Sequence, residues 1–358
     1  MSRGLVSSAN SARNLVELTN ALVMKRDVKH LTFSKDTYLL ACKNKIPLTY
    51  LESLDHQEKG SLEVYHYHRQ RYQRTLEIID EVSELLEEKD VDYVVFKTLG
   101  PYPEDVADVD VLILNAGHYL DAIRAIKDDT KMEFIDKGPH CITFRDSKPM
   151  HLSKDACYEF RGPYGCGRLM LDIYNEIAAN RLIYVNKHNL RSLTKVIKLP
   201  SGCEARVFKP EADILIRIGH SAIKEQSYNL ADYLVLLYQL INADENFFTN
   251  LVSLARRNKL MTALKWYLNL TLLTYRIAEG RLTARLRDVT SIFRDTWNLP
   301  QGVSKASAPP YRCDTKTFMS IFREKLQDKV FRKSLVDQLA GFMDRDFMLK
   351  LLARSRHL

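Results

Sequence analysis

Two aspartates spaced to share one face of a strand are the residues of this sequence best suited to chemistry. Asp108 and Asp110 open an apolar run that ends at Leu114. Because residues i and i+2 of a strand point to the same face of a sheet, their carboxylates should project together. Paired carboxylates repel each other unless a positive charge compensates, and Mg²⁺, with Mn²⁺ as a substitute, is the hard cation that prefers such oxygens. The alternative is structural, with one aspartate flanking the strand and the other solvated.

A third carboxylate, Asp172, interrupts the apolar run at 168–174. A charged side chain within an apolar strand costs free energy unless it is paired or bound to a metal. We therefore regard Asp172 as a candidate member of the same site. A strand-end aspartate that accepts hydrogen bonds from backbone donors is the alternative.

The loop before Asp108 offers groups that could bind phosphate. Lys97 and Thr98 follow an apolar run that starts at Tyr93, and Gly100 opens a turn-rich stretch. Turns present backbone N–H groups, which together with a hydroxyl form anion-binding concavities. Lys97, Thr98 and Gly100 are thus candidate nucleotide-binding residues, although Lys97 could equally point away as the last residue of its strand.

These motifs resemble those of the polymerase-β-like nucleotidyltransferases, and in particular a subgroup described as uncharacterised nucleotidyltransferases. That subgroup has Lys-Gly at the end of one strand and a pattern such as SDIDLLV on the next. Here Lys97-Thr98 stands at the first position, with Thr98 in place of the expected glycine. The stretch 107–113, ADVDVLI, stands at the second. The stretch 171–176, LDIYNE, resembles the strand that carries the third acid, with Tyr174 in place of the usual histidine.

The resemblance covers roughly residues 46–240 and implies a mechanism. Asp108, Asp110 and Asp172 would be the catalytic and metal-binding residues, and would hold two Mg²⁺ ions. A nucleoside triphosphate would bind near Thr98, and its nucleoside monophosphate would move to an acceptor hydroxyl. Asp172 could also accept the hydroxyl proton.

Two residues of a later helix are further candidates for contact with the nucleotide. His220 and Lys224 are four positions apart in a stretch, 210–224, that is predicted to be helical, so they should share a face. Asp232, in the next predicted helix, could face them. The alternative is a hydrogen-bond network between helices. In the resembled family, similar helices follow the catalytic domain.

Composition limits the cell compartment and the class of partner. The chain has 358 residues, a formal net charge of +8 and a pI of about 9.0, which favours an anionic partner. From 281 to 358, Lys and Arg outnumber Asp and Glu two to one. The sequence has no apolar signal core, no run long enough to span a membrane and no CxxC pair, so we expect a cytoplasmic protein that does not bind membranes.

We expect the acceptor to be an RNA similar to tRNA. The basic C-terminal part of the chain favours such a partner, because contacts with RNA phosphates are electrostatic. A protein acceptor, as in toxin-like AMPylation, or a small molecule is the alternative. The second alternative is a non-catalytic RNA-binding protein on a degenerate transferase fold.

Hydrophobic periodicity predicts an α+β protein. N-terminal helices (1–90) precede a region of strands and helices (91–209), for which the resemblance implies a small mixed β-sheet nucleotidyltransferase domain flanked by helices. An all-α C-terminal region follows, with a helical domain (210–297), a linker rich in Pro and Ser (298–314) and basic helices (315–358).

Overall fold

A computed structural model of the protein describes residues 2–26, 31–104, 106–150, 168–179, 181–291 and 309–341. Within these ranges the α+β prediction is confirmed, with helical regions before and after a mixed seven-stranded sheet. Most of the predicted loop at 146–167 and of the linker at 298–314 lies outside the described residues, as does the end of the basic helices.

The N-terminal region is helical, as predicted. Ser34 caps one of its helices by accepting a hydrogen bond from the Thr37 N–H at 3.4 Å. Pro47, which breaks the apolar pattern of the sequence, begins a helix, because proline lacks only an N–H that the first turn does not use. The helices are α1 (Ser2–Val23), α2 (Lys35–Lys43), α3 (Pro47–Glu52), α4 (His56–Ser61) and α5 (Glu63–Glu88).

The strands before the C-terminal region are β1 (Tyr93–Phe96), β2 (Asp108–Ile113), β3 (Glu133–Lys137), β4 (Cys141–Arg145), β5 (Met170–Tyr174), β6 (Ile177–Ala179), β7 (Leu182–Val185), β8 (Thr194–Lys198) and β9 (Glu204–Phe208). The helix that precedes β3 is α6 (Tyr119–Asp129). Seven of these strands form the large sheet, in the order β3-β4-β5-β2-β1-β9-β8. Its centre is β2, which is antiparallel to β1 and parallel to β5. The strands β6 and β7 form a separate hairpin, which was not predicted.

The two faces of the sheet belong to different hydrophobic clusters. Val109 and Val111 of β2 pack in the cluster that contains α5 and α6. Leu112 of the same strand packs in the other cluster, which contains the N-terminal and C-terminal helices. Since side chains alternate along a strand, Asp108 and Asp110 lie on the same side as Leu112, beneath the C-terminal helices.

The C-terminal region differs from the all-α prediction by two short strands, β10 (Ser227–Tyr228) and β11 (Tyr311–Arg312), which pair antiparallel. The second of them is the end of the predicted linker. No helix among the described residues is long and apolar enough to cross a membrane. The helices are α7 (Pro210–Gly219), followed by a π-helical turn (His220–Glu225), α8 (Leu230–Asn242), α9 (Asn246–Arg257), α10 (Met261–Glu279), α11 (Ala284–Ser291), α12 (Thr315–Lys325) and α13 (Lys329–Gly341).

Candidate active site

The three predicted aspartates lie together on the two central parallel strands. Asp110 of β2 is in register with Asp172 of β5, and Asp108 precedes Asp110 by two residues on the same face. One carboxylate oxygen from each lies within 4.8 Å of the others. Asp110 is buried, whereas Asp108 and Asp172 are half-buried. The cluster therefore opens towards solvent from Asp108 and Asp172.

Burial and repulsion from neighbouring carboxylates disfavour the charged forms of Asp110 and Asp172. Burial, with further contributions from Asp108 and Asp172, raises the pKa of Asp110 to about 7, although the Lys97 ammonium opposes the shift. Burial and the charge of Asp108 also raise the pKa of Asp172. Such shifts are expected where carboxylates gather without a bound cation, and a divalent ion would reverse them.

Lys97 provides a positive charge inside this cluster. Its Nζ lies 3.0 Å from Asp110 Oδ2, and only 13% of its side chain is exposed. The ammonium also lies over the rings of Phe96 and Tyr174, 5.0 and 5.7 Å from their centroids. Although burial alone would lower the pKa of Lys97, the Asp110 carboxylate raises it above its usual value. Of the two orientations open in the sequence, Lys97 adopts the one that points into the site.

The backbone at Lys97 explains how its side chain reaches Asp110. Its φ is 58°, in the left-handed region that non-glycine residues rarely adopt. Asp213 Oδ1 of α7 accepts a hydrogen bond from the Lys97 N–H at 2.9 Å, and an Arg217 guanidinium N–H donates to the Lys97 carbonyl at 2.5 Å. Arg217 also donates to Asp213 Oδ2 at 2.8 Å. This pair from α7 therefore holds the strained residue in place.

Thr98 stands where the resembled family has glycine, but the left-handed position of this loop is Lys97. The Thr98 hydroxyl is buried and accepts a hydrogen bond from the Asp110 N–H at 3.0 Å. It donates to the Phe96 carbonyl at 3.2 Å. Thr98 thus positions the backbone of Asp110, and both hydrogen bonds of its hydroxyl lie within the protein. Its contact with a nucleotide stays a prediction.

Gly100 allows a close approach of the Glu104 side chain. A Cβ at this position would lie 2.1 Å from Glu104 Oε1, nearer than side-chain atoms approach one another. Glu104 is buried, and its Oε2 lies 3.7 Å from an Arg217 nitrogen. Gly100 therefore admits a buried acid beside the arginine that holds Lys97. Its predicted contact with phosphate is untested.

Asp172 has two hydrogen-bond donors that were not predicted as site residues. The Thr143 hydroxyl of β4 donates to Oδ1 at 2.6 Å, and the Tyr174 hydroxyl donates to Oδ2 at 3.2 Å. Tyr174, which replaces a histidine of the resembled family, thus orients the third acid. Residues i and i+2 of β5 provide the acid and its donor, so the strand period alone could have suggested this pair.

His220 and Lys224 both lie in the π-helical turn that follows α7, where the predicted α-helix was expected to continue. The chain changes from α-helix to π-helix at His220, so the residue that meets its ring is Glu225, five positions later. His220 Nε2 lies 3.2 Å from Glu225 Oε1, and its Nδ1 lies 3.5 Å from the Tyr184 hydroxyl. Lys224 is exposed. Burial, with the nearby Lys97 charge, lowers the pKa of His220.

Asp232 belongs to a hydrogen-bond network between helices, which was the alternative prediction. Its Oδ1 accepts bonds from the Ser221 hydroxyl at 3.1 Å and the Tyr267 hydroxyl at 2.7 Å. With Asn229 it forms a capping box at the start of α8. These bonds give Asp232 a structural role.

The donor set of the aspartate cluster fits a hard divalent cation. All three side chains offer carboxylate oxygens, the ligands that Mg²⁺ and Mn²⁺ prefer. Asp110 Oδ1 is buried and accepts no hydrogen bond from the described residues, which is costly unless a cation completes its coordination. Asp108, Asp110 and Asp172 would hold such an ion.

Comparison with models of known protein families finds no match to this chain, and a search of curated proteins finds none similar to it. The geometry of the cluster and its surroundings thus carries the functional argument.

Sequence reasoning missed the residues that fix Lys97. Asp213 and Arg217 are one helical turn apart in a largely apolar helix, and a charged i, i+4 pair in such a place is a readable signal. Tyr184 gave no comparable signal, because its position beside His220 depends on the unpredicted β6–β7 hairpin.

Proposed function

We propose that this protein is a metal-dependent nucleotidyltransferase that moves a nucleoside monophosphate from a nucleoside triphosphate to an acceptor hydroxyl. The observation that carries the proposal is the in-register pair Asp110 and Asp172, with Asp108 beside them. Carboxylates gathered on one face of adjacent strands are a suitable arrangement for a divalent ion and a triphosphate.

A divalent cation at these oxygens would neutralise phosphate charge and lower the pKa of the acceptor hydroxyl. Asp108, on the more open side of the cluster, would meet the incoming triphosphate. Asp172, oriented by Thr143 and Tyr174, would hold the acceptor hydroxyl and accept its proton. The α-phosphorus would gain a bond to the acceptor oxygen and lose its bond to pyrophosphate.

Lys97 adds a fixed positive charge beside the reacting phosphates. Its ammonium is buried against Asp110, and its backbone is held by a hydrogen bond to α7. The charge therefore need not reorganise during the reaction. Thr98 and Gly100 would shape the same loop around the β- and γ-phosphates. In this proposal Lys97 and Asp110 remain paired when substrate binds.

The test is transfer of label from α-³²P-labelled ATP, CTP, GTP and UTP, with Mg²⁺ or Mn²⁺. Total tRNA, a protein extract and a small-molecule extract serve as acceptors. We expect label on one acceptor, RNA first, and loss of label in Asp108→Asn, Asp110→Asn and Asp172→Asn. Asp121→Asn is the matched control, because that carboxylate is 65% exposed on α6, away from the cluster. Label that persists in all three site variants would refute the assignment.

RNA is the acceptor that the charge of the protein favours. The net charge is +8, and much of the excess falls in the C-terminal part of the chain. A protein or a small molecule would give the same chemistry at the cluster. The three acceptor pools separate these outcomes.

One observation favours a second function, binding of RNA without catalysis. Lys97 already neutralises Asp110, so the cluster can persist without a metal ion. Binding of Mn²⁺ in wild type, measured by electron paramagnetic resonance and abolished in Asp108→Asn, would argue for the enzyme. An RNA-binding protein with no Mn²⁺ site and no label transfer would support the second function.

A further inference from the structure

An arginine-lined cavity lies at the C-terminal end of α10, formed by elements other than those of the aspartate cluster. Its volume is about 960 Å³, and it opens to solvent. Four guanidinium groups line it: Arg26 from the end of the N-terminal helical segment, Arg276 from α10, Arg281 from the following turn, and Arg287 from α11. Arg276, Arg281 and Arg287 are all exposed.

The charge of this cavity is strongly positive. Among the described residues that line it, Glu279 is the only acid, and its two oxygens accept hydrogen bonds from Arg26 at 2.9 and 3.0 Å. Glu279 also accepts a bond from the Asn20 amide at 3.2 Å. The carboxylate thus serves to fix Arg26. Several basic side chains on one open surface favour the binding of an anion.

The arginines are held by structured elements. Gly280 has a φ of 74°, a conformation that favours glycine, and its N–H donates to the Arg276 carbonyl at 2.9 Å. This turn brings the chain back so that Arg276 and Arg281 line the same cavity. Leu286 is fully buried and anchors α11, which carries Arg287. The positive charges are therefore presented on a defined scaffold.

We propose that this arginine-lined cavity binds the phosphate backbone of an RNA acceptor. Guanidinium groups bind phosphate oxygens through two parallel hydrogen bonds, and several of them in a wide, open cavity suit a chain of phosphates. The positive net charge of the protein favours the same partner. The proposal rests on the proposed function for its identification of the bound RNA as the acceptor.

The experiment measures binding of a fluorescently labelled tRNA pool by anisotropy over a series of KCl concentrations. The test protein is the full chain with Arg276→Gln, Arg281→Gln and Arg287→Gln. We expect at least a tenfold weaker affinity. We also expect a salt dependence whose log–log slope is smaller by about 0.7–0.9 for each phosphate that the variant no longer neutralises. Because the three side chains are exposed, the variant should fold, which circular dichroism checks.

A matched control removes the same charge elsewhere. Arg124→Gln, Lys127→Gln and Lys131→Gln change three exposed residues of α6 and the segment after it. This control should keep both the affinity and the salt slope of the wild type. An equal weakening of binding in the two variants would mean that net charge alone matters, and would overturn the proposal. Unchanged binding in the arginine variant, or no binding of tRNA to the wild type, would overturn it too.

A competition experiment separates RNA from a smaller phosphate compound. Suppose that ATP binds the wild type, and that the arginine variant loses affinity for ATP but keeps its affinity for RNA. The cavity is then a mononucleotide site and the proposal is wrong. Label transfer is scored separately. RNA binding at the cavity without label transfer would remove the proposed function and leave the cavity as an RNA site. Label transfer by the wild type, together with an arginine variant that binds RNA as tightly as the wild type, would keep the proposed function and overturn the cavity as the RNA site.

Discussion

Replacing Lys97 by methionine tests the charge balance of the candidate active site. The ammonium lies 3.0 Å from Asp110 Oδ2, and the two side chains are only 13% and 5% exposed. Methionine keeps much of the side-chain volume but removes the charge. Removal of one partner of a buried ion pair costs about 3–5 kcal/mol, since the other charge stays buried. Asp108 and Asp172 add repulsion, so we expect a value in the upper part of that range.

The assay is denaturant unfolding of wild type and Lys97→Met in metal-free buffer at one pH, repeated with Mn²⁺. A ligand stabilises the native state by RT ln(1 + [L]/Kd). Because no ammonium then competes for the carboxylates, Mn²⁺ should stabilise the variant more than the wild type and restore part of the stability. Lys195→Met, at an exposed position of β8, is the control and should change the free energy of unfolding by less than about 0.5 kcal/mol. A destabilisation below about 1 kcal/mol, with equal stabilisation by Mn²⁺ in both proteins, would refute this account of Lys97.

Two further predictions concern Gly219 and His220, at the end of α7. A Cβ at Gly219 would lie 2.7 Å from Tyr184 Cδ2, so Gly219→Ala should destabilise the protein by about 1–3 kcal/mol. Gly60→Ala meets nothing within 4 Å and should be neutral or stabilising by up to about 1 kcal/mol, which denaturant midpoints would show. Burial lowers the pKa of His220 in the folded protein below the 6.5 of the unfolded chain. Below pH 6.5 the unfolded state then binds more protons, so stability falls with falling pH by up to about 1.4 kcal/mol per pH unit. Unfolding curves between about pH 7.5 and 5.5 should show this slope in the difference between wild type and His220→Asn, because the raised pKa of Asp110 contributes a slope of opposite sign to both proteins. A slope that persists in the variant belongs to other groups.

The shared face of Asp108 and Asp110 was predictable because it depends on strand period alone. Alternation along β2 puts Asp108 and Asp110 opposite to Val109, and a neighbouring apolar strand with one acid supplies Asp172. The register between β2 and β5 was not predictable from period, yet it is what aligns Asp110 with Asp172. Here the resemblance to a family supplied what local patterns lack.

The direction of Lys97 and the partner of His220 depend on backbone features that side-chain patterns do not report. Lysine rarely adopts a positive φ, and at position 97 it does so only because α7 supplies hydrogen bonds to its N–H and carbonyl. A π-helical turn begins at His220, and the residue that meets its ring is Glu225, at i+5. Both departures lie beside the aspartate cluster, where strain and irregular helices are most expected.

The support of Lys97 also bears on the predicted division of the chain at residues 209 and 210. The aspartates stand on the sheet, but the residues that fix Lys97, Asp213 and Arg217, belong to the helix after that division. Glu104 approaches Arg217 from the loop between β1 and β2. The loop between β1 and β2 therefore places the Glu104 carboxylate near Arg217, and α7 supplies the hydrogen bonds to Lys97. The sheet alone would leave Lys97 without the bonds that keep its φ positive. A division drawn from composition thus passes through the candidate active site, whose geometry depends on α7 as much as on β2.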